Sequence, residues 1–426
     1  MNILWVTNIA LPEANLLMNE KPTPFGGWFV SASNALAHED DIKFSISFPK
    51  RGLSNVLMLK GNKITFYAFT PVTEKETKSS RENIYLEKIL HETNPNVVHI
   101  FGTEYPHTLA MVNACNKQSI KSIISIQGLT SIYAKHYLSG LPISVQNRFT
   151  IRDFLKQDNL KQQQRKFVER GKLEIEALQR VKHIIGRTTW DKACTYQINQ
   201  DAQYHFCNEI LRDEFYKQTW DINQCEKHSV FISQGSYPIK GLHFMLEAMP
   251  LILKQFPETK LYVAGQNIIK SNTLKDKLKI SSYGKYIKDL ICKYNISKSV
   301  VFTGVLDEKN MCKRYLKSHV FVCASSIENS PNSVGEAMML GVPCVASNVG
   351  GVTDLLKHRE EGFIYQVDAP YMLAHYVCEI FANDELALQF SKRARMHAIK
   401  TYNKEENTKR MMEIYREITG RTVENC

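Results

Sequence analysis

The sequence predicts an α/β protein made of two doubly wound, parallel-sheet domains of Rossmann type, and three observations carry that expectation. Its 426 residues exceed one ordinary hydrophobic core and suit two, of roughly 200 residues each. Short apolar runs of strand type alternate with helical stretches through both halves, the pattern of a parallel sheet covered on both faces. Each half also opens on an apolar run, a glycine-bearing loop and a helix, first around Gly26-Gly27 and again around Lys240-Gly241.

In chain order, Asn2 to Thr7 is the first strand. A loop with Pro12, Pro22 and Pro24 follows, then Gly26-Gly27 and a helix from about Trp28 to His38. The loop lacks G-x-G-x-x-G, so a dinucleotide cofactor is not supported. Further strands are expected at Phe44–Phe48, Ile64–Phe69, Val97–Phe101 and Ser122–Ile126, with a helix at Asn83–Glu92. The third of these runs into GTEYPH, which puts Glu104 and His107 in a strand-to-helix loop, where either a ligand-facing role or an ordinary helix-start surface is open. The fourth ends at Gln127. An amide there can position a hydroxyl or cap a strand, but it cannot trade protons.

Residues 147–172 are basic and helical in pattern. Phe149, Ile151, Phe154, Leu155, Leu160 and Phe167 interrupt the charges, so the stretch is either a solvated face or an amphipathic surface touching anionic lipid. VKHIIGR then gives a strand ending at Arg187, which either pairs with Asp191 at a helix start or serves a site. The hinge is expected within 209–222. In the second half, strands are expected at Val230–Ser233, Lys260–Gly265, Val300–Gly304, Val320–Ala324 and Val342–Ala346, with a mobile loop at 267–280.

The most informative stretch is Phe321 to Gly351, FVCASSIENSPNSVGEAMMLGVPCVASNVGG. It combines strand, loop, helix, strand and glycine loop. Ser333 is expected as N-cap, with Glu336 at capping-box spacing and Gly341 as the stop. Glu328 and Glu336 flank seven residues that end at a helix N-terminus, where amides and the macrodipole favour an anion such as phosphate. Glu336 can also be read as a capping residue alone, and Glu328 as a solvated loop carboxylate.

These residues resemble the retaining family 4 glycosyltransferases of GT-B fold, whose E-x7-E signature is matched by Glu328 and Glu336. The resemblance implies two Rossmann-like domains facing a central cleft: an acceptor-side domain of 1–212, completed by a crossover helix at about 397–420, and a donor domain of 213–396. It implies transfer of a sugar from a UDP- or GDP-type nucleotide sugar to a hydroxyl of a glycan or lipid-linked glycan, with retention of configuration, in bacterial surface polysaccharide synthesis. Catalytic roles fall to Glu328, Lys240 and Arg187, and donor binding to Gly26, Gly27, Ser236, Gly304, Asn329, Ser330, Asn332, Ser333 and Glu336. Glu104, His107 and Gln127 are expected to position the acceptor or sugar. Two departures stand out: Gly235 replaces the arginine that relatives usually place five residues before Lys240, and Gln127 replaces a histidine. They leave room for a rival reading, an inactive nucleotide-sugar-binding or scaffold protein of the same fold.

Composition narrows the rest. Hydrophobic residues at 43% and charged residues at 23% are those of a globular chain, no apolar run is long enough to span a bilayer, and MNILWVTN is not a secretion signal. A cytoplasmic location is expected, with peripheral contact at the inner face of the membrane through 147–172. Ten cysteines, including Cys426, never approach C-x-x-C spacing and read as reduced packing residues. No histidine or D-x-D pattern suggests a metal, and the formal charge of +11, without a nucleic-acid motif, points to anionic substrates.

Overall fold

The computed structural model describes residues 1–22, 26–78, 83–270, 273, 276 and 278–421. Pro24, Cys426 and part of the loop expected at 267–280 lie outside them. The chain divides into two compact units, each with its own sheet.

The first unit comprises residues 1–131, 169–212 and the chain from Tyr402 onward. Its eight strands are β1 (Asn2–Val6), β2 (Lys43–Pro49), β3 (Leu57–Lys60), β4 (Thr65–Phe69), β5 (Val97–Phe101), β6 (Lys121–Ser125), β7 (His183–Gly186) and β8 (Gln203–Phe206). Their order is β3-β4-β2-β1-β5-β6-β7-β8, and every pairing is parallel except β3 with β4. Ile3 to Val6 are buried without alternation, as a strand covered on both faces requires. Strand order reverses between β1 and β5, so the loops after these two strands part to opposite faces and leave a crevice at their carboxyl ends.

The helix Lys404–Thr419 belongs to this unit. Asn403 caps it, accepting from the Glu406 amide at 3.0 Å, and Gly420 ends it in the left-handed region. Its Tyr415 hydroxyl accepts from Trp5 Nε1 at 2.9 Å and meets His99 Nδ1 at 2.5 Å, while His99 Nε2 meets Ser125 Oγ at 2.6 Å. A neutral imidazole satisfies both contacts, one ring nitrogen donating and the other accepting.

The second unit comprises 132–168 and 213–401. Its strands β9 (Glu226–Ile232), β10 (Lys260–Ala264), β11 (Val300–Gly304), β12 (Ser318–Cys323), β13 (Cys344–Ser347) and β14 (Gly362–Tyr365) form a wholly parallel sheet of order β11-β10-β9-β12-β13-β14. The reversal here lies between β9 and β12. Residues 132–168, expected to continue the first domain, pack instead with this unit. Ser139 O meets His243 Nε2 at 3.1 Å, and the buried Asp153 carboxylate accepts from the Ser282 amide at 2.9 Å.

Three strands escaped the sequence pattern. β3 is an edge strand whose residues are all at least partly exposed, β8 is the polar QYHF, and β14 is only GFIY. Neighbouring strands hold them, not their own composition.

Burial keeps several histidines neutral. It pushes His99 down to about 3, and His107 in the first unit and His243 in the second down to about 4. Each folded pKa lies below the unfolded value near 6.5, so both states are neutral above that pH and the unfolded chain alone gains protons as pH falls. Stability should therefore drop from pH 6.5 towards pH 4, each histidine adding a slope of about 1.4 kcal/mol per pH unit. Urea midpoints at pH 7 and pH 5 check this, and equal midpoints contradict it.

Candidate active site

In the second unit the site follows from strand order. β9 and β12 are neighbours, so their carboxyl ends deliver two loops side by side, Ser233–Gly241 and Ala324–Pro331. The Ser326 amide donates to Ile239 O at 2.7 Å and ties the loops together. β13, on the other side of β12, brings Gly350-Gly351, and the Gly351 amide donates to Glu328 O at 3.2 Å. Gly241 and Gly350 both have positive φ, +68° and +51°. A Cβ on them would lie 1.7 Å from Ala324 O and 1.8 Å from Glu328 O, so only glycine allows the loops to approach this closely.

Lys240 Nζ and Ser325 Oγ both donate to Glu328 Oε1, at 2.5 and 2.7 Å. The Glu328 side chain is 8% exposed and that of Lys240 23%. Burial works against the Lys240 ammonium, but the Glu328 carboxylate more than offsets it, with Tyr237 and the hydrogen bond to Glu328 adding to the effect. The lysine pKa therefore lies well above its ordinary value, and Lys240 stays charged throughout the physiological range.

The helix that follows spans Asn332–Leu340. Its N-cap is Pro331, not Ser333, and no side chain caps it. The capping box expected between Ser333 and Glu336 is therefore absent: the proline ring fixes φ at −69° and the helix starts two residues earlier than the sequence pattern indicates. Asn332 and Ser333 form the first turn, Glu336 is buried inside the helix, and Asn329 is buried just ahead of it. Ser330 stands half-buried between Asn329 and the helix. Ser236 lies beside Gly265, since a Cβ on that glycine would meet Ser236 Oγ at 2.9 Å, and the Gly265 amide donates to Gly304 O at 3.0 Å. Ser236 and Gly304 thus share the carboxyl edge of the sheet with Lys240. A side chain at Gly235 would strike Val263 and Leu242 in the core, so position 235 cannot present a cation to this site.

Sequence reasoning missed Tyr133 and Ser325. Tyr133 accepts from the Asn329 amide at 3.1 Å, and burial, followed by the Glu328 charge, raises its pKa. It comes from the segment assigned in advance to the other domain, so no local pattern could have found it.

In the first unit the expected residues lie along the carboxyl edge of the sheet. Gly26, at φ +74°, is the N-cap of the helix Gly27–Leu36 after β1. Glu104 is half-buried in the loop after β5, beside Tyr105, whose hydroxyl accepts from Asn8 Nδ2 at 2.7 Å across the β1/β5 crevice. His107 is a correction: it is the second residue of the helix Pro106–Lys117, 4% exposed, between the rings of Tyr105 and Phe69, and so forms part of the core and not of a ligand surface.

Gln127, after β6, and Arg187, after β7, converge on Glu209, after β8. Gln127 Nε2 donates to Glu209 Oε1 at 2.9 Å, and Arg187 Nη1 pairs with Glu209 Oε2 at 2.7 Å. The alternative Arg187–Asp191 contact is made through the Arg187 backbone. Asp191 completes a capping box with Thr188 and accepts from the Arg187 amide at 3.0 Å. The three residues line a pocket with Trp28, Phe101 and Asn407. Glu209 carried no motif and was not foreseen.

Residues 213–397 match the family model described as Glycosyl transferases group 1. That match covers less than half of the chain. Lys240, Glu328 and Glu336 stand within the matched stretch. The putative glycosyltransferase YtcC of Bacillus subtilis is 25% identical over 195 residues, 45% of this chain and 46% of that one. The chain spans about half the length of the curated relatives it matches. Among solved structures, sucrose-phosphate synthase from Thermosynechococcus elongatus superposes with a TM-score of 0.70 at 15% identity, covering 99% of this chain and 100% of that one. HepE of Anabaena, solved in complex with UDP, gives 0.66 at 12% identity, covering 98% and 100%. The fold is that of the GT-B glycosyltransferases, two parallel-sheet α/β domains.

Proposed function

We propose that the protein is a glycosyltransferase that moves a sugar from a nucleoside diphosphate sugar to a hydroxyl of a glycan or lipid-linked glycan, with retention of configuration and without a metal. The observation that carries this reading is the Lys240–Glu328 pair at the strand-order reversal of the second sheet, next to the N-terminus of the helix Asn332–Leu340.

Cleavage of the bond from the anomeric carbon to the diphosphate leaves the electron pair on phosphate oxygen. Lys240 and the first-turn amides of Asn332 and Ser333 stabilise that charge where it develops. The acceptor hydroxyl forms the new bond to the same carbon and passes its proton to the departing diphosphate. Glu328 holds Lys240 in place and takes a sugar hydroxyl, and Glu336 takes the ribose. Ser236 and Gly304 border the base, and Gln127, Arg187 and Glu209 handle the acceptor. The bound UDP of HepE supports a uridine donor, and the similarity to a poly(ribitol-phosphate) α-N-acetylglucosaminyltransferase of Staphylococcus aureus supports a polymeric acceptor, within the wider proposal of bacterial surface polysaccharide synthesis.

Thermal unfolding in the presence of UDP, GDP and ADP tests the reading. A nucleotide at 100 times its dissociation constant adds about 2.7 kcal/mol of stability, so one base should raise the midpoint clearly and the others less.

A further inference from the structure

We infer that residues 143–168 form a docking surface for an anionic lipid bilayer, through a short apolar knuckle and not through the long basic helix. The segment holds the helices Ile143–Gln146 and Ile151–Lys156 and the start of the helix Leu160–Arg180, with a turn at 157–159 between the last two. Five large apolar side chains point to solvent within thirteen residues: Ile143, Phe149, Ile151, Phe154 and Leu155, from 58% to 75% exposed. By contrast Leu160, in the long helix, is buried.

The knuckle cannot fold these side chains inward, because its inner side is already occupied. Thr150 and Asp153 form a capping box, and the fully buried Asp153 carboxylate accepts from the amide and hydroxyl of Ser282 and from Arg152 Nη1 at 2.9 Å. Ser282 Oγ also lies 2.8 Å from Arg148 O. A buried carboxylate thus locks the base of the knuckle to the start of the helix Ser282–Lys293 and leaves the apolar tip outside.

Charge selects the occupant. The two acids of 143–168 are Asp153, buried, and Asp158, ion-paired to Arg152 and Lys166. Lys156, Lys161 and Arg165 are exposed cations. The other nearby acid, Asp289, is ion-paired to Arg148, so an exposed apolar tip beside unpaired exposed cations matches a surface with an apolar interior and negative headgroups. A second copy of this chain, itself at a formal +11, offers no such complement.

The test is co-sedimentation of the full chain with vesicles of phosphatidylcholine alone and with phosphatidylglycerol added. Binding to the anionic vesicles that weakens with salt is expected. Phe154→Ser with Leu155→Ser should weaken it by about 100-fold, and Lys156→Gln by about fivefold. Both variants change exposed side chains outside the Lys240–Glu328 site, so nucleotide-induced stabilisation should match wild type. That readout separates failure of this proposal from failure of the transferase reading, on which it does not rest. Equal binding to neutral and anionic vesicles, unchanged binding in the double variant, or a concentration-dependent dimer abolished by the double variant would each overturn it.

Discussion

Replacing Glu328 with glutamine should lower sugar transfer at least 100-fold while leaving nucleoside diphosphate affinity within a few-fold of wild type or tighter. In the free protein the Glu328 carboxylate neutralises Lys240 across 2.5 Å. Glutamine preserves the shape and can still accept from Lys240 and Ser325, but it removes the charge that competes with a diphosphate for the lysine. Binding therefore keeps its main electrostatic contact. On the role proposed for Glu328, transfer loses the carboxylate that takes a sugar hydroxyl, and the loss of one such preorganised group is worth about 3 kcal/mol. Isothermal titration with the nucleotide and turnover of the matching nucleotide sugar read the two effects separately. Equal loss of both would make Glu328 a folding residue only.

The second large effect is on stability. Gly350→Ala and Gly241→Ala should each destabilise the second unit by more than about 3 kcal/mol, combining left-handed strain with an overlap on a backbone oxygen that cannot rotate away. Gly420→Ala has the same positive φ with nothing within 4 Å of its Cβ, and should cost only about 1 kcal/mol. Urea unfolding of the three variants measures this. If all three shift equally, φ strain alone accounts for the losses and the close approach of the loops is not what glycine supplies.

The sequence revealed the fold through local signals that tertiary structure reinforces. The continuous apolar runs at Ile3–Val6, Val97–Phe101 and Val320–Cys323 are strands buried on both faces, which no surface element imitates. In the site, Glu328, Glu336, Lys240 and the two glycine loops were visible because their motifs fit inside single βα units. What stayed hidden depends on neighbours far away in sequence. Tyr133 reaches Asn329 across 196 residues, and Glu209 matters only because β6, β7 and β8 lie side by side. The Ser333 capping box failed for a local reason: Pro331 starts the helix first, a competition that the spacing rule does not weigh. His107 failed because a helix-start position says nothing about which rings lie against it.

The measurement closest to the central claim is nucleotide-induced stabilisation of wild type beside Lys240→Met. Wild type should gain several degrees with one nucleoside diphosphate and less with the corresponding monophosphate, while the methionine variant, measured against its own ligand-free midpoint because it leaves Glu328 unpaired, should lose most of that difference. If no nucleoside diphosphate shifts wild type, or if both proteins respond alike, Lys240 does not grip a diphosphate and the site has another purpose.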